Sequence, residues 1–252
     1  MPKNMDSYLL KKFNEVERHH WWWEGRRHLM KWLLGKKKHR RILDVGCGTG
    51  ETLSFLEKIY PKAELYGIDV YQKAINYSKQ RGHRNVFKAN AKKLPFKDGL
   101  FDAVLFLDVL EHIKDDQKAV GEAKRVLKKN GKIIITSPAL SFIWSEHDIK
   151  QGHQKRYTRR EIRKLAKNAK LETSFISYFN FFLSPPIILI RLLSRLRPFK
   201  NFSNYDNNLN FNIVHTGVLN STLRKIFIFE INMLKLIKYP IGISISAVLT
   251  KK

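Results

Sequence analysis

With 252 residues, 43% of them hydrophobic, the chain is long enough to bury one substantial core, so one elaborated domain is expected in place of several independent ones. Its single cysteine, Cys47, excludes an internal disulfide framework and any cysteine-based zinc cluster, and suits a reducing cytoplasm. Lys and Arg number 48 against 22 Asp and Glu, a formal charge of +26. Such a field attracts phosphate-bearing molecules, nucleic acid or an anionic bilayer face, unless the excess is simply a solvated surface.

The N-terminal stretch MPKNMDSYLLKKFNEVERHH has no apolar run of the kind that directs export. Residues 1–39 are expected to form a helical lid carrying His20-Trp21-Trp22-Trp23-Glu24-Gly25-Arg26-Arg27. From Arg40, short apolar runs alternate with amphipathic stretches, the pattern of a parallel sheet covered by helices. Strands are predicted at 41–45, 64–68, 85–88, 101–107 and 132–136, and helices near 51–60, 71–81 and 115–129, the last closed by Asn130 and Gly131. After Pro138 a loop rich in reactive side chains leads to a basic helix near 159–169 and a strand near 171–178, completing a core over 40–178. Residues 179–240 read as a helical, hydrophobic and basic insertion with a loop at Asn201–Asn212, and 241–252 as the last strand of the core. The predicted fold class is α/β: a Rossmann-like, mostly parallel sheet with helices on both faces and a helical C-terminal insertion before the last strand.

The sharpest motif is Asp44-Val45-Gly46-Cys47-Gly48-Thr49-Gly50, which follows an apolar strand and opens a helix. Glycines there let the backbone turn tightly and approach a nucleotide-like ligand without Cβ clashes. Gly46 and Gly48 fit the start of a dinucleotide fingerprint, but Glu51 stands where its third glycine belongs, which weakens a nicotinamide-dependent oxidoreductase. Asp69, 19 residues past Gly50, ends the second strand, where a carboxylate, which only accepts hydrogen bonds, suits a ribose diol.

This acidic residue followed by G-x-G-x-G resembles motif I of the class I S-adenosylmethionine-dependent methyltransferases, of the type 11/12/23-like group that includes ubiquinone-pathway enzymes. The resemblance implies S-adenosylmethionine as cofactor, held by Asp44, Gly46, Cys47, Gly48 and Gly50, with Asp69 and Val70 at the ribose. Ala89-Asn90-Ala91 followed by Leu94-Pro95-Phe96 is similar to the adenine-reading segment and assigns Asn90 and Ala91 to that contact; many relatives have Asp where Asn90 stands. The HWWWEGRR segment is similar to a helix that folds over the cofactor, which assigns Arg26 to the cofactor carboxylate, while the tryptophans could equally pack as a lid or form a membrane-facing edge. Asp102 and Asp108-Val109-Leu110-Glu111-His112 resemble motif IV and place Asp108 near the cofactor and His112 on the active-site floor.

Methyl transfer from a sulfonium is a direct displacement, so alignment matters most and a base is needed only for a protonated nucleophile. His147, His153, Arg156 and Tyr157 lie in a segment similar to the family's G-H-x-x-R-Y-[ST] motif; histidine can accept a proton near neutral pH, and Arg156 could hold an anionic group of the substrate. Catalytic candidates are therefore His112, His147, His153 and Tyr157, each with an alternative packing role. The set Asp108, Glu111, His112 resembles a metal-assisting set in ubiquinone-pathway O-methyltransferases, but no metal is the favoured reading.

Thr173–Ile190 is 18 residues without a charge, yet Pro185 and Pro186 interrupt it. Downstream, Arg191, Arg195 and Arg197 interleave with leucines in the manner of a helix lying on an anionic surface, or of a substrate cap. Residues 150–252 carry 19 basic and 4 acidic side chains, the denser share of the excess. The reading is a cytoplasmic enzyme, with contact at the inner membrane face as an option, that O-methylates a small-molecule, lipid-linked, quinone-like or glycan acceptor. A basic nucleic-acid-binding or RNA-modifying protein on the same fold is the alternative. Ser137-Pro138-Ala139 stands where an Asn-Pro-Pro-Tyr motif would mark a planar nitrogen target.

Overall fold

The computed structural model describes residues 7–193 and 217–252, apart from the side chains of 7–9, 146, 147, 150 and 190. Two helices come first, α1 (Ser7–Val16) and α2 (Trp21–Leu34). Strand and helix then alternate: β1 (Arg41–Val45), α3 (Glu51–Ile59), β2 (Glu64–Asp69), α4 (Gln72–Gln80), β3 (Val86–Lys88), β4 (Phe101–Leu107), a 3-10 turn at Leu110–His112, α5 (Asp116–Val126), β5 (Leu127–Pro138) and a second 3-10 turn at Ser141–Ile143. The remainder comprises α6 (Glu146–Gln151), α7 (Arg159–Asn168), β6 (Glu172–Phe179), α8 (Ser184–Leu193), α9 (Gly217–Leu234) and β7 (Ser244–Thr250).

Among the described residues seven strands form one sheet in the order β3-β2-β1-β4-β5-β7-β6. β1 to β5 pair in parallel and β7 is antiparallel to both β5 and β6. The order reverses between β1 and β4, and the crevice at the carboxyl ends of those strands is where an open α/β sheet binds ligands. Ile42, Leu43, Val104, Leu105, Ile133, Ile134 and Ala247 are all fully buried, which is why these strands read as apolar runs and not as alternating patterns.

One boundary differs from the sequence reading. The fifth helix ends at Val126, and Asn130 and Gly131 lie inside β5. Asn130 adopts φ 61°, its N–H donates to Lys251 O at 2.7 Å, and Lys251 N–H returns a bond to Gly131 O at 3.1 Å. The pair kinks a strand entrance where β4 and β5 shift register; turn chemistry is the same in both settings, so the dipeptide alone did not separate them.

The insertion contributes α8 and α9, while Arg195, Arg197 and the Asn201–Asn212 stretch lie outside the described residues. Helix α9 lies across α2. A Cβ on Gly25 would sit 2.1 Å from Phe227, so glycine is what lets the two helices approach. Asn220 closes the contact, its Oδ1 accepting from Trp21 N and its Nδ2 donating to His19 O, both at 2.8 Å. Among the described residues no helix is long and apolar enough to cross a membrane.

Candidate active site

Val45 leads out of β1 into a loop where Gly46, Gly48 and Gly50 adopt φ of 75°, 54° and 91°, values a side chain resists. Gly46 N–H and Cys47 N–H both donate to Ile68 O, at 2.7 and 2.9 Å, anchoring the loop to the second strand. A Cβ on Gly46 would strike Val109, whereas one on Gly48 would meet nothing within 4 Å. The Gly48 side of the loop is thus open.

Asp69 ties this loop to the end of β2: its carboxylate accepts from Gly48 N at 3.1 Å and Tyr71 N at 2.9 Å, and each oxygen keeps a lone pair for a further donor. Burial pushes its pKa up against those hydrogen bonds. Asp44 is buried beneath the loop and is pushed up to about 7, first by burial and then by the charges of Asp69 and Glu17, with Arg26 opposing. Cys47 is buried and its thiol is pushed well up, chiefly by burial, which removes it as a nucleophile. Val70 is partly exposed beside Asp69. Asn90 Oδ1 accepts from Lys92 N at 2.9 Å, which shapes its turn, and Ala91 is buried.

Arg26 arrives from α2. Its Nη1 donates to Asp108 Oδ2 at 2.8 Å and to Leu107 O at 3.1 Å, while its Nε is buried without a hydrogen-bond partner. Asp108, in the left-handed region at φ 59°, also accepts from Thr136 Oγ1 at 3.0 Å. A clamp that no local pattern announces closes α1 onto the glycine loop. Glu17 accepts from the Thr49 hydroxyl and, at 2.8 Å, from Arg81, which also pairs with Glu51. These partners are 30 to 64 residues apart and no local pattern links them. Asp102, grouped by resemblance with this end, sits instead at the start of β4, accepting from Arg40 N, Arg41 N and Lys128 Nζ.

A second polar cluster lies past β4. Glu111 is fully buried; its Oε2 accepts from Ser137 Oγ at 2.9 Å, and its Oε1 has no hydrogen-bond partner. Burial, with the Asp108 charge adding, raises its pKa well above the usual range. His112 is pushed down to about 4 by burial and by the facing His153, so it is neutral at pH 7. The two rings lie 4.8 Å apart at 65°. His153 Nδ1 is 2.8 Å from Asp148 Oδ1. Burial would raise Asp148, but the bond with His153, the charge and hydrogen bonds of Arg156 and the Ser145 N–H hold its carboxyl well below the usual range.

Three expectations change here. Arg156 is buried, grips Asp148 through Nε and Nη2 and donates to Ala139 O, leaving it a loop-fixing role in place of the expected grip on an anionic substrate. Tyr157 is buried, donates to Asp116 Oδ2 at 2.7 Å and has its pKa raised by burial and by Asp116, which suits packing and not proton transfer. Asp108 turns to Arg26 and Thr136, so the group that converges is Glu111, His112 and His153, not Asp108, Glu111 and His112. The His147 side chain lies outside the described residues.

The strand order, the glycine loop after β1 and the acidic end of β2 define a class I methyltransferase fold. Residues 43–135 match the methyltransferase domain family. A demethylmenaquinone methyltransferase of Thermus thermophilus is 32% identical over 105 residues, 40% of this chain and 48% of that protein. A ubiquinone/menaquinone biosynthesis C-methyltransferase of Desulfotalea psychrophila is 32% identical over 110 residues, 41% of this chain and 45% of that one. The chain thus spans less than half the length of these curated relatives. Among solved structures, phosphoethanolamine N-methyltransferase 2 of Haemonchus contortus superposes with a TM-score of 0.63 at 18% identity, over 99% of this chain and 59% of that one. A methyltransferase of Archaeoglobus fulgidus gives 0.59 at 20% identity, over 98% and 100%. These likenesses concern the fold. The residues present fit S-adenosylmethionine: Arg26 Nε is a buried donor awaiting an acceptor, the Gly48 side of the loop is open, and Asp69 retains acceptor capacity.

Proposed function

We propose that the protein transfers a methyl group from S-adenosylmethionine to an oxygen of an apolar, quinone-like or lipid-linked acceptor. The observation that carries the cofactor half is the joint placement of Asp44, the open glycine loop, Asp69 and Arg26 at the switch point of the sheet. When bound, the cofactor supplies an electrophilic methyl on a sulfonium. Arg26 would hold the carboxylate end, Asp69 would accept from the ribose hydroxyls, and Asn90 with Ala91 would edge the adenine. Asp44, ionised, would favour a cationic ligand above the loop. The chain's work is alignment, with the Glu111, His112, His153 cluster as the place where a protonated acceptor oxygen is activated.

The acceptor half is supported by Trp22, which is partly buried one helical turn from Arg26 and is backed by the fully buried Phe179 and Phe227, with centroids 5.6 to 6.0 Å apart. The quinone-linked names of two relatives agree with an apolar ring acceptor, though one of them methylates carbon. Leu189, Phe229, Leu236 and Ile237 are exposed on the C-terminal helices and just beyond α9, with Lys235 and Lys238 nearby in sequence. Exposed apolar side chains beside lysines suit contact with an anionic bilayer carrying the acceptor.

Calorimetric titration with S-adenosylmethionine and S-adenosylhomocysteine, with NAD and Asp69→Ala as controls, tests the cofactor. Micromolar binding lost in the variant is expected; no binding overturns the enzyme reading. The +26 charge then favours the nucleic-acid alternative, which predicts steeply salt-dependent binding to any duplex. Mass spectrometry of the product from a quinol and polyprenyl-lipid panel separates O-methyl from C-methyl transfer.

A further inference from the structure

Asn180 follows the last residue of β6, with its backbone in the left-handed region at φ 60°. Its carbonyl accepts from Ser184 Oγ, which itself accepts from Ile243 N at 3.1 Å, so the end of β6, the start of α8 and the entry to β7 fix one another. Asparagine tolerates such a backbone, which accounts for the φ value but not for the side chain. The residue is fully buried, and neither its amide oxygen nor its amide nitrogen has a hydrogen-bond partner.

Glu230 of α9 comes to the same turn of chain. Its Oε2 accepts from Phe182 N at 3.2 Å, while its Oε1 is buried without a partner. Burial raises its pKa against the backbone N–H groups of Phe181, Phe182 and Asn180, so Oε1 can carry a proton and donate as well as accept. Three unpaired polar atoms on two buried side chains are costly to leave unmet. Phe182, two residues past Asn180, is 44% exposed, so the pair lies close beneath the surface. β6 runs parallel to β4 and β5, since β7 is antiparallel to both of its neighbours, which puts Asn180 at the sheet edge that also holds Asp108. In the order β4-β5-β7-β6 the two stand three strand spacings apart, about 14 Å. Helix α2 spans that interval, with Arg26 paired to Asp108 and Trp22 stacked on Phe179, beside Asn180, and on Phe227, one helical turn before Glu230.

An unpaired amide asks for a ligand group that both donates and accepts. A hydroxyl does both, whereas an ammonium would leave Asn180 Nδ2 unmet and a carboxylate or phosphate would leave Oδ1 unmet. We propose that Asn180 and Glu230 bind a second, non-reacting hydroxyl of the methyl acceptor and so select an aromatic ring with two oxygen functions over one with a single oxygen. The inference rests on the methyl-transfer reading with a ring acceptor. The reacting oxygen meets the cofactor at the β4 end, the ring lies along Trp22, and the far hydroxyl reaches the β6 end. Asn180 and Glu230 are then specificity residues: a site built to hydrogen-bond a substrate hydroxyl rejects the analogue that lacks it, because its own buried polar atoms are left unpaired.

The test titrates the full chain, saturated with S-adenosylhomocysteine, with naphthohydroquinone kept reduced under argon and with naphthol, which has one hydroxyl fewer. Wild type is expected to bind the two-hydroxyl probe about tenfold or more tighter by calorimetry. Asn180→Gly, which keeps the positive φ, and Glu230→Leu should each erase most of that preference while leaving naphthol affinity within about twofold. Asn180→Asp, of the same shape but without the N–H donors, should act likewise. Near-UV circular dichroism identifies variants that remain folded. Equal loss of both probes in a folded variant assigns the pair to packing and overturns the inference. If wild type binds both probes without preference, the ring-acceptor reading stands and this inference alone falls. If it holds S-adenosylhomocysteine but binds neither probe, the ring-acceptor reading falls and takes this inference with it.

Discussion

Arg26 and Asp108 meet at 2.8 Å across 82 residues of sequence, joining α2 to the carboxyl edge of the central strand. The pair leaves Arg26 Nε buried and unpartnered, aligned for a second acceptor. Replacing Arg26 by Ala is predicted to weaken S-adenosylmethionine binding ten- to a hundredfold, about 1.5–3 kcal/mol for a lost charge-assisted bond. Arg26→Lys should rescue little, since one ammonium cannot reproduce the planar fork. Calorimetry on both variants checks this, and unchanged affinity in Arg26→Ala would remove Arg26 from the cofactor site.

Asp44 gives a pH signature. Its folded pKa, pushed up to about 7 from 3.8 by burial, means that the native state holds a proton between pH 4 and 7 that the unfolded chain has released. Stability therefore falls as pH rises through that window and levels off above it, by on the order of 4 kcal/mol at most. Asp69, Glu17 and Glu111 shift in the same direction, so Asp44→Asn isolates one share: urea unfolding at pH 5 and pH 8 should differ less in the variant. A cationic ligand over the loop should also expel the Asp44 proton, seen as buffer-dependent binding enthalpy near pH 7.

Asp148 runs the other way. Held well below its usual range by His153 and Arg156 despite burial, it contributes stability that is present above pH 4 and lost as acid protonates it. Asp148→Asn should cost about 3–5 kcal/mol, because Arg156 is left buried without its counter-charge. A drop in thermal midpoint with far-UV dichroism retained below it is the expected readout.

Phe227, fully buried and stacked against both Trp22 and Phe179, fastens α9 to α2. Phe227→Ala should cost about 3–5 kcal/mol. Tryptophan emission should shift to the red as Trp21 and Trp22 gain water, and an unshifted spectrum would show that α9 does not depend on this contact.

Much of the core was legible because its signals are local. The apolar runs at Arg41–Val45 and Phe101–Leu107 are observed as strands at those bounds, and the Thr158–Glu161 capping box starts the predicted basic helix. Asn130-Gly131 was misplaced because a turn dipeptide serves a helix end and a strand kink alike. In the second cluster, Arg156 and Tyr157 looked like exposed chemistry in a polar loop, but Asp148 and Asp116, which engage them, are brought in by chain packing.

The strand–helix alternation, the glycine loop and the acid at the end of the second strand are written in the order of the amino acids, since each depends on residues within one turn or one crossover. That Arg26 reaches Asp108, that Glu17 and Arg81 clamp α1 to the glycine loop, and that His153 replaces Asp108 beside Glu111 and His112 came from the packed chain alone. Those relationships are set by which buried charges find partners once the sheet has closed, and pairing across dozens of residues leaves no periodic trace in the chain.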